Sequence, residues 1–178
     1  HLVDLLVRDG FPTTVLDDLS AGAASNVPEA ATLVEGDVRD AGLVDDLVKD
    51  ADYVFHLAAY TSAPGSLNEP QVCFEINTLG ALNVLQSARR HKIQKIIFPS
   101  SSAVYGGDSQ DPCKEEDSLE PMSPYAVTKL AGEHLLEVYR ATYGLPYVAF
   151  RFFNVYGPRQ NPEGGYAAVV PAFIQAAL

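Results

Sequence analysis

Apolar residues along this chain fall into two rhythms that take turns, and their order predicts alternating helices and strands. His1-Leu2-Val3-Asp4-Leu5-Leu6-Val7-Arg8-Asp9 spaces its apolar residues as a helix does, and Gly10 is placed to end it. Thr13 to Leu16 then reads as a short strand closing on Asp17-Asp18, and Ala31 to Glu35 as the next, closing on Gly36-Asp37. Asp40 is set to cap a helix running through Val48. The apolar run from Ala51 to Ala58 predicts a buried strand, followed by a long helix from about Gln71 to His91 and a strand over Ile93 to Pro99. Gly106 to Met122 is rich in Asp, Pro, Gly and Ser and reads as a loop. Ser123 to Tyr143 predicts a helix, Tyr147 to Phe152 a strand, and Tyr166 to Leu178 a further helical stretch.

Strand and helix alternating along the chain predict an α/β fold, with a parallel sheet wound on both faces by helices. Ligands of such sheets bind at the carboxyl ends of the strands. Asp17, Asp37, Ala58-Ala59, Ser101 and Asn154 all fall at those ends.

Composition narrows the picture only a little. A chain of 178 residues, 47% hydrophobic and 20% charged, has the length of about one domain and enough apolar material for a core. The net charge of −11, without a basic cluster, argues against nucleic acid and anionic membrane surfaces as partners. No apolar run approaches the roughly 20 residues that span a bilayer. Cys73 and Cys113 form no metal or redox pattern and are expected as reduced thiols of a cytoplasmic protein.

The candidate chemistry lies in Ser100-Ser101-Ser102 and in Ser123-Pro124-Tyr125-Ala126-Val127-Thr128-Lys129. Residues four apart share a helix face. The Lys129 ammonium can therefore approach the Tyr125 phenol and lower its pKa from roughly 10, which makes a usable general base. The Ser101 hydroxyl, after the apolar Ile96-Ile97-Phe98, can share the same proton. That is equipment for taking a proton from an alcohol as its hydride departs. Tyr-x-x-x-Lys is common on exposed helix faces, so the pair gains weight only together with Ser101 and Val104-Tyr105-Gly106. Asp17 can accept from the ribose hydroxyls of a dinucleotide and would repel a 2′-phosphate, although Asp-Asp after a strand is equally a turn signal. Asp37 can hold an adenine amino group or simply serve the following loop. Arg159 can meet a diphosphate or stand solvated. His56, in an apolar strand, reads as a core histidine.

Six stretches together resemble the extended short-chain dehydrogenases/reductases, and within them the NAD-dependent nucleotide-sugar epimerase/dehydratase family. They are Leu16 to Ser20, Gly36 to Asp40, Phe55 to Ala59, Ser100 to Gly106, Ser123 to Lys129 and Arg151 to Arg159. The resemblance implies a Rossmann-like doubly wound sheet, bound NAD, a UDP-sugar substrate and a homodimer through a four-helix contact. It assigns Ser101, Tyr125 and Lys129 as catalytic. It places the cofactor on Asp17, Asp18, Asp37, Val38, Leu57, Ala58, Ala59, Tyr125, Lys129 and Phe152. It places the substrate on Ser62, Ser101, Tyr125, Asn154 and Arg159. The 4,6-dehydratases of the family carry Asp-Glu where Ser102 and Ala103 stand here. The run from Asn154 to Pro162 is most similar to UDP-glucose and UDP-N-acetylglucosamine 4-epimerases. The implied activity is 4-epimerisation of a UDP-hexose through a 4-keto sugar. Another nucleotide-sugar dehydratase or reductase, or a non-catalytic dinucleotide fold, remains open.

The family's glycine-rich loop and the strand before it do not occur in this sequence, nor does the family's carboxyl-terminal substrate lobe. The chain is thus expected to be an internal fragment, residues 1–178 forming part of the NAD-binding domain and about 154–178 leading toward the substrate lobe. Alone, it is expected neither to hold NAD tightly nor to turn over.

Overall fold

Each helix and strand begins where the local chemistry allows it, in a computed structural model that describes residues 1–107, 112–160 and 169–177. Helix α1 (Leu2–Arg8) ends before Gly10, which takes the positive φ of 85°. Strands β1 (Thr14–Asp17) and β2 (Thr32–Glu35) pair in parallel, Thr14 opposite Thr32. Helix α2 (Ala41–Val48) starts at Asp40, whose carboxylate accepts from the N–H groups of Gly42 and Leu43, both at 3.0 Å. Strands β3 (Tyr53–Phe55), β4 (Lys95–Ser101) and β5 (Tyr147–Phe152) form a second parallel sheet in that order. A helix stands between successive strands except at β1 and β2, which are joined through only a short 3₁₀ turn (Ala24–Asn26), and the fold is a Rossmann-like α/β arrangement. The two sheet pieces are not hydrogen-bonded to one another among the described residues.

The predicted long helix over Gln71 to His91 is a compound element. Helix α4 (Pro70–Phe74) runs through a π turn, Glu75–Leu79, into α5 (Gly80–His91). The wider turn holds Asn77, whose amide is committed to tertiary partners. A short helix, α3 (Ala63–Asn68), stands where no element was predicted. Its Ser-Ala-Pro-Gly-Ser sequence looks like a loop, but Ser62 caps it and Pro64 sits in its first turn.

The prediction of a buried strand over Ala51 to Ala58 is corrected. Strand β3 has three residues, and Tyr53 (52%), Phe55 (36%) and Leu57 (55%) are exposed. Those three alternate residues share one face of the strand, and among the described residues β3 pairs with β4 alone. Helix α6 (Pro124–Tyr143) begins at the Ser123 cap and ends at Gly144, φ 69°. The start of the last predicted helix falls outside the described residues; its described part is α7 (Val169–Ala177).

The core forms where α2, α5 and α6 meet β4. Val44, Val84, Leu85, Ile96, Phe98 and Leu136 are buried together there. Helix α6 lies close over β4 because residue 132 is glycine: a Cβ there would stand 2.4 Å from Phe98 Cζ. Asn83 of α5 reaches the loop after β2, donating to the carbonyls of Val38 and Arg39 at 3.1 Å. Among the described residues no helix is long and apolar enough to cross a membrane, and no cluster of His, Cys, Asp and Glu could hold a metal ion.

Candidate active site

Lys129 is 6% exposed and reaches β4, donating from Nζ to Pro99 O at 2.9 Å. The ammonium also stands 5.8 Å from the centre of the Tyr125 ring, one turn back on α6, and 5.2 Å from the ring of Phe98. Burial pushes its pKa down to about 8. Tyr125 is half-buried. Two residues beyond Pro99, Ser101 ends β4, and its Oγ accepts from Ala103 N at 3.2 Å. That leaves the Ser101 proton to be donated elsewhere. The three residues expected to be catalytic are therefore carried by the end of one strand and the first turns of the helix packed on it.

The expected cofactor residues take up strand-end positions. Asp17 ends β1, and its Oδ1 accepts from Leu19 N at 2.8 Å. Its Oδ2 has no hydrogen-bond partner among the described residues. Asp18 forms a similar turn, accepting from the N–H and Oγ of Ser20 at 3.0 and 2.6 Å. The turn reading and the ligand reading of this pair are thus compatible. Asp37 faces Arg39, whose guanidinium meets both carboxylate oxygens at 2.5–3.0 Å and holds its carboxyl below the usual range. Arg39 also reaches Glu75 at 3.3 Å. A carboxylate with about four lone pairs can still accept an amine in addition. Val38 is buried, whereas Leu57, Ala58 and Phe152 are exposed beyond or at the strand ends.

The expected substrate residues are more dispersed. Ser62 Oγ caps α3, accepting from Gly65 N at 3.0 Å. Asn154 and Arg159 follow β5 and are exposed. Arg159 is paired with Asp4 and lies 2.8 Å from His1 Nδ1. His56 is buried as expected, stacked on Phe98 with ring centres 5.9 Å apart, and burial lowers its pKa to about 4.

The tertiary contacts of three groups escaped the reading of the sequence. Asn77 binds both backbone groups of Tyr60, with Oδ1 accepting from N at 2.7 Å and Nδ2 donating to O at 3.1 Å, and also donates to Thr128 Oγ1 at 2.9 Å. Ser66 of α3 touches Tyr125. Glu133 joins α6 to both strands: it accepts from Ser100 Oγ and from the Arg151 guanidinium at 2.8–3.2 Å, while Arg151 also donates to Tyr105 Oη at 3.1 Å. A lone arginine in the apolar strand Tyr147–Phe152, and a glutamate one turn beyond Lys129, were the available signals. Replacing Glu133 by Ala leaves a half-buried guanidinium without its anion. We expect a loss of about 2 kcal/mol in urea unfolding of the full-length protein, with Glu133→Gln intermediate.

Comparison with known proteins fits this geometry. Residues 1–178 match the family model described as the NAD dependent epimerase/dehydratase family. A UDP-glucose 4-epimerase of Mycolicibacterium smegmatis is 38% identical over 184 residues, covering 99% of this chain and 58% of its own length. A dTDP-glucose 4,6-dehydratase of Streptomyces antibioticus is 38% identical over 180 residues, covering 98% of the chain and 52% of its own. The solved UDP-N-acetylglucosamine 4-epimerase of Methanobrevibacter ruminantium M1, in complex with UDP-N-acetylmuramic acid, superposes with a TM-score of 0.94 at 43% identity, over 99% of this chain and 58% of that one. The chain thus spans somewhat more than half the length of these relatives. Matched from end to end by the family model, and folded as a solved member is, the chain belongs to the NAD dependent epimerase/dehydratase family.

Proposed function

We propose that the full-length protein inverts the configuration at C4 of a UDP-hexose, with NAD as its cofactor and no net oxidation. The observation that carries this reading is the Lys129 ammonium 5.8 Å from the Tyr125 ring, on a helix packed against the strand that ends at Ser101. The donor set suits the cofactor. Asp17 Oδ2 is an acceptor at a strand end, fit for ribose hydroxyls, and the Lys129 ammonium has N–H groups beyond the one given to Pro99 O. Asp17, Asp18, Asp37, Val38, Leu57, Ala58, Ala59 and Phe152 would hold it. The hydride acceptor at C4, and then its donor, would be supplied by NAD held there.

The chain's own residues handle the proton. A cation beside a phenol stabilises the phenolate, so Tyr125 takes the proton of the sugar 4-hydroxyl and later returns it. Ser101 donates to the same oxygen as charge develops there. The carbonyl of Pro99 fixes the Lys129 side chain, which in turn fixes the direction of its charge. Ser62, Asn154 and Arg159 would contact the sugar or its diphosphate, Arg159 by leaving Asp4.

Ser102 and Ala103 bear no carboxyl group, so the chain offers neither acid nor base there for eliminating water. That favours epimerisation over the dehydratase chemistry named for one relative. Full-length protein given UDP-glucose should yield UDP-galactose with no net consumption of NAD. A 4-keto-6-deoxy sugar, or a product reduced at the expense of the cofactor, would overturn the reading.

A further inference from the structure

The first turn of α6 is closed by a side chain from another helix. A helix leaves its first N–H groups without intrahelical partners. In α6 the first position is Pro124, which has no N–H. The third, Ala126, donates to the Ser123 cap at 3.2 Å. The second is Tyr125 itself, whose N–H donates to Ser66 Oγ at 3.1 Å across 59 residues of sequence. Ser66 is 0% exposed, and its own proton goes to Ala63 O at 2.7 Å, so the hydroxyl is held from both sides. Helix α3 is itself fixed. Ser62 caps it, and a Cβ on Gly65 would stand 2.6 Å from Tyr60 Oη.

We propose that Ser66 is a positioning residue for Tyr125. By accepting from the Tyr125 N–H, it sets the height and rotation of the turn that carries the phenol, and so where the phenol oxygen lies relative to Lys129 and the sugar hydroxyl. The proposal rests on Tyr125 being the proton acceptor. The remainder of α6 is anchored independently, by the Gly132–Phe98 contact and by the Glu133–Arg151 pair. Loss of the Ser66 bond therefore loosens the first turn and leaves the helix in place. A misplacement of about 1 Å costs on the order of 100-fold in rate.

The experiment compares Ser66→Ala, Ser66→Cys and Tyr125→Phe in the full-length protein. Cysteine fills the site with a somewhat larger sulfur but is a weak acceptor. We expect both Ser66 variants to lose about 10- to 100-fold in kcat for UDP-glucose epimerisation. We expect KM to stay within about threefold, because the change falls on the transition state and not on substrate binding. Deuterium exchange of the peptide around 123–130 should quicken in both variants, with or without substrate. Wild-type kcat in Ser66→Ala would overturn the proposal, as would full activity in Ser66→Cys, which would make the role one of packing. If Tyr125→Phe is impaired and Ser66→Ala is not, this proposal alone fails. If Tyr125→Phe keeps its rate, the reading of the site fails and this proposal with it.

Discussion

Tyr125→Phe in the full-length protein is expected to lower kcat for UDP-hexose epimerisation by about 10²- to 10⁴-fold, the usual worth of a positioned general base. Removing one phenolic oxygen leaves the ring, its packing and its Lys129 contact in place. Stability and substrate KM should therefore change little, and the loss should fall almost wholly on kcat. That split matters, because a variant that merely unfolded would lose active molecules and melt earlier. Circular dichroism and thermal melting alongside steady-state kinetics separate the two. An unimpaired rate would remove Tyr125 from the chemistry.

Lys129→Met should separate activity from stability in opposite directions. Folding carries Lys129 into a site that is 6% exposed, and burial lowers its pKa to about 8. A buried ammonium is a cost that an apolar side chain of similar length does not incur. The variant should be at least as stable as the wild type at neutral pH, although Pro99 O loses its donor. Turnover should fall by about 100-fold or more, since the cation that favours the phenolate is gone. The sign of the pH dependence follows from the same shift. Unfolded lysine holds its proton up to pH 10.5, folded Lys129 only to about 8. The unfolded state therefore binds more protons between those values, and stability of the folded wild type is gained as pH rises through that window. Urea midpoints measured from pH 7 to 10 should show this increment in the wild type and not in Lys129→Met.

Much of the scaffold was legible because local chemistry and tertiary structure agree. Asp40 caps the helix it was expected to cap, the helix expected from Ser123 begins at that residue, and β5 has the predicted bounds, Tyr147–Phe152. The Tyr-x-x-x-Lys spacing placed Tyr125 and Lys129 on one helix face, and Ser101 ends β4 two residues beyond the predicted strand. The misreadings have physical causes. Strand β3 was expected to be buried, but an apolar run alone does not tell which face of a strand is covered. The π turn at Glu75–Leu79 keeps helical periodicity on both sides, so the break is silent in the sequence. Helix α3 was hidden by Pro64 and Gly65, two residues that usually mark loops. The contacts of Ser66 and Glu133 were missed because their partners lie far along the chain. No spacing rule connects position 66 to position 125.

The most direct test follows the hydrogen at C4. Full-length protein should be given UDP-glucose deuterated at that carbon, in ordinary water, and the sugar products analysed by mass spectrometry and NMR. Hydride removal and return at one carbon, with Tyr125 carrying only the hydroxyl proton, predicts UDP-galactose that retains the label at C4. Deuterium lost to solvent, or found at another carbon of a dehydrated product, would contradict the account.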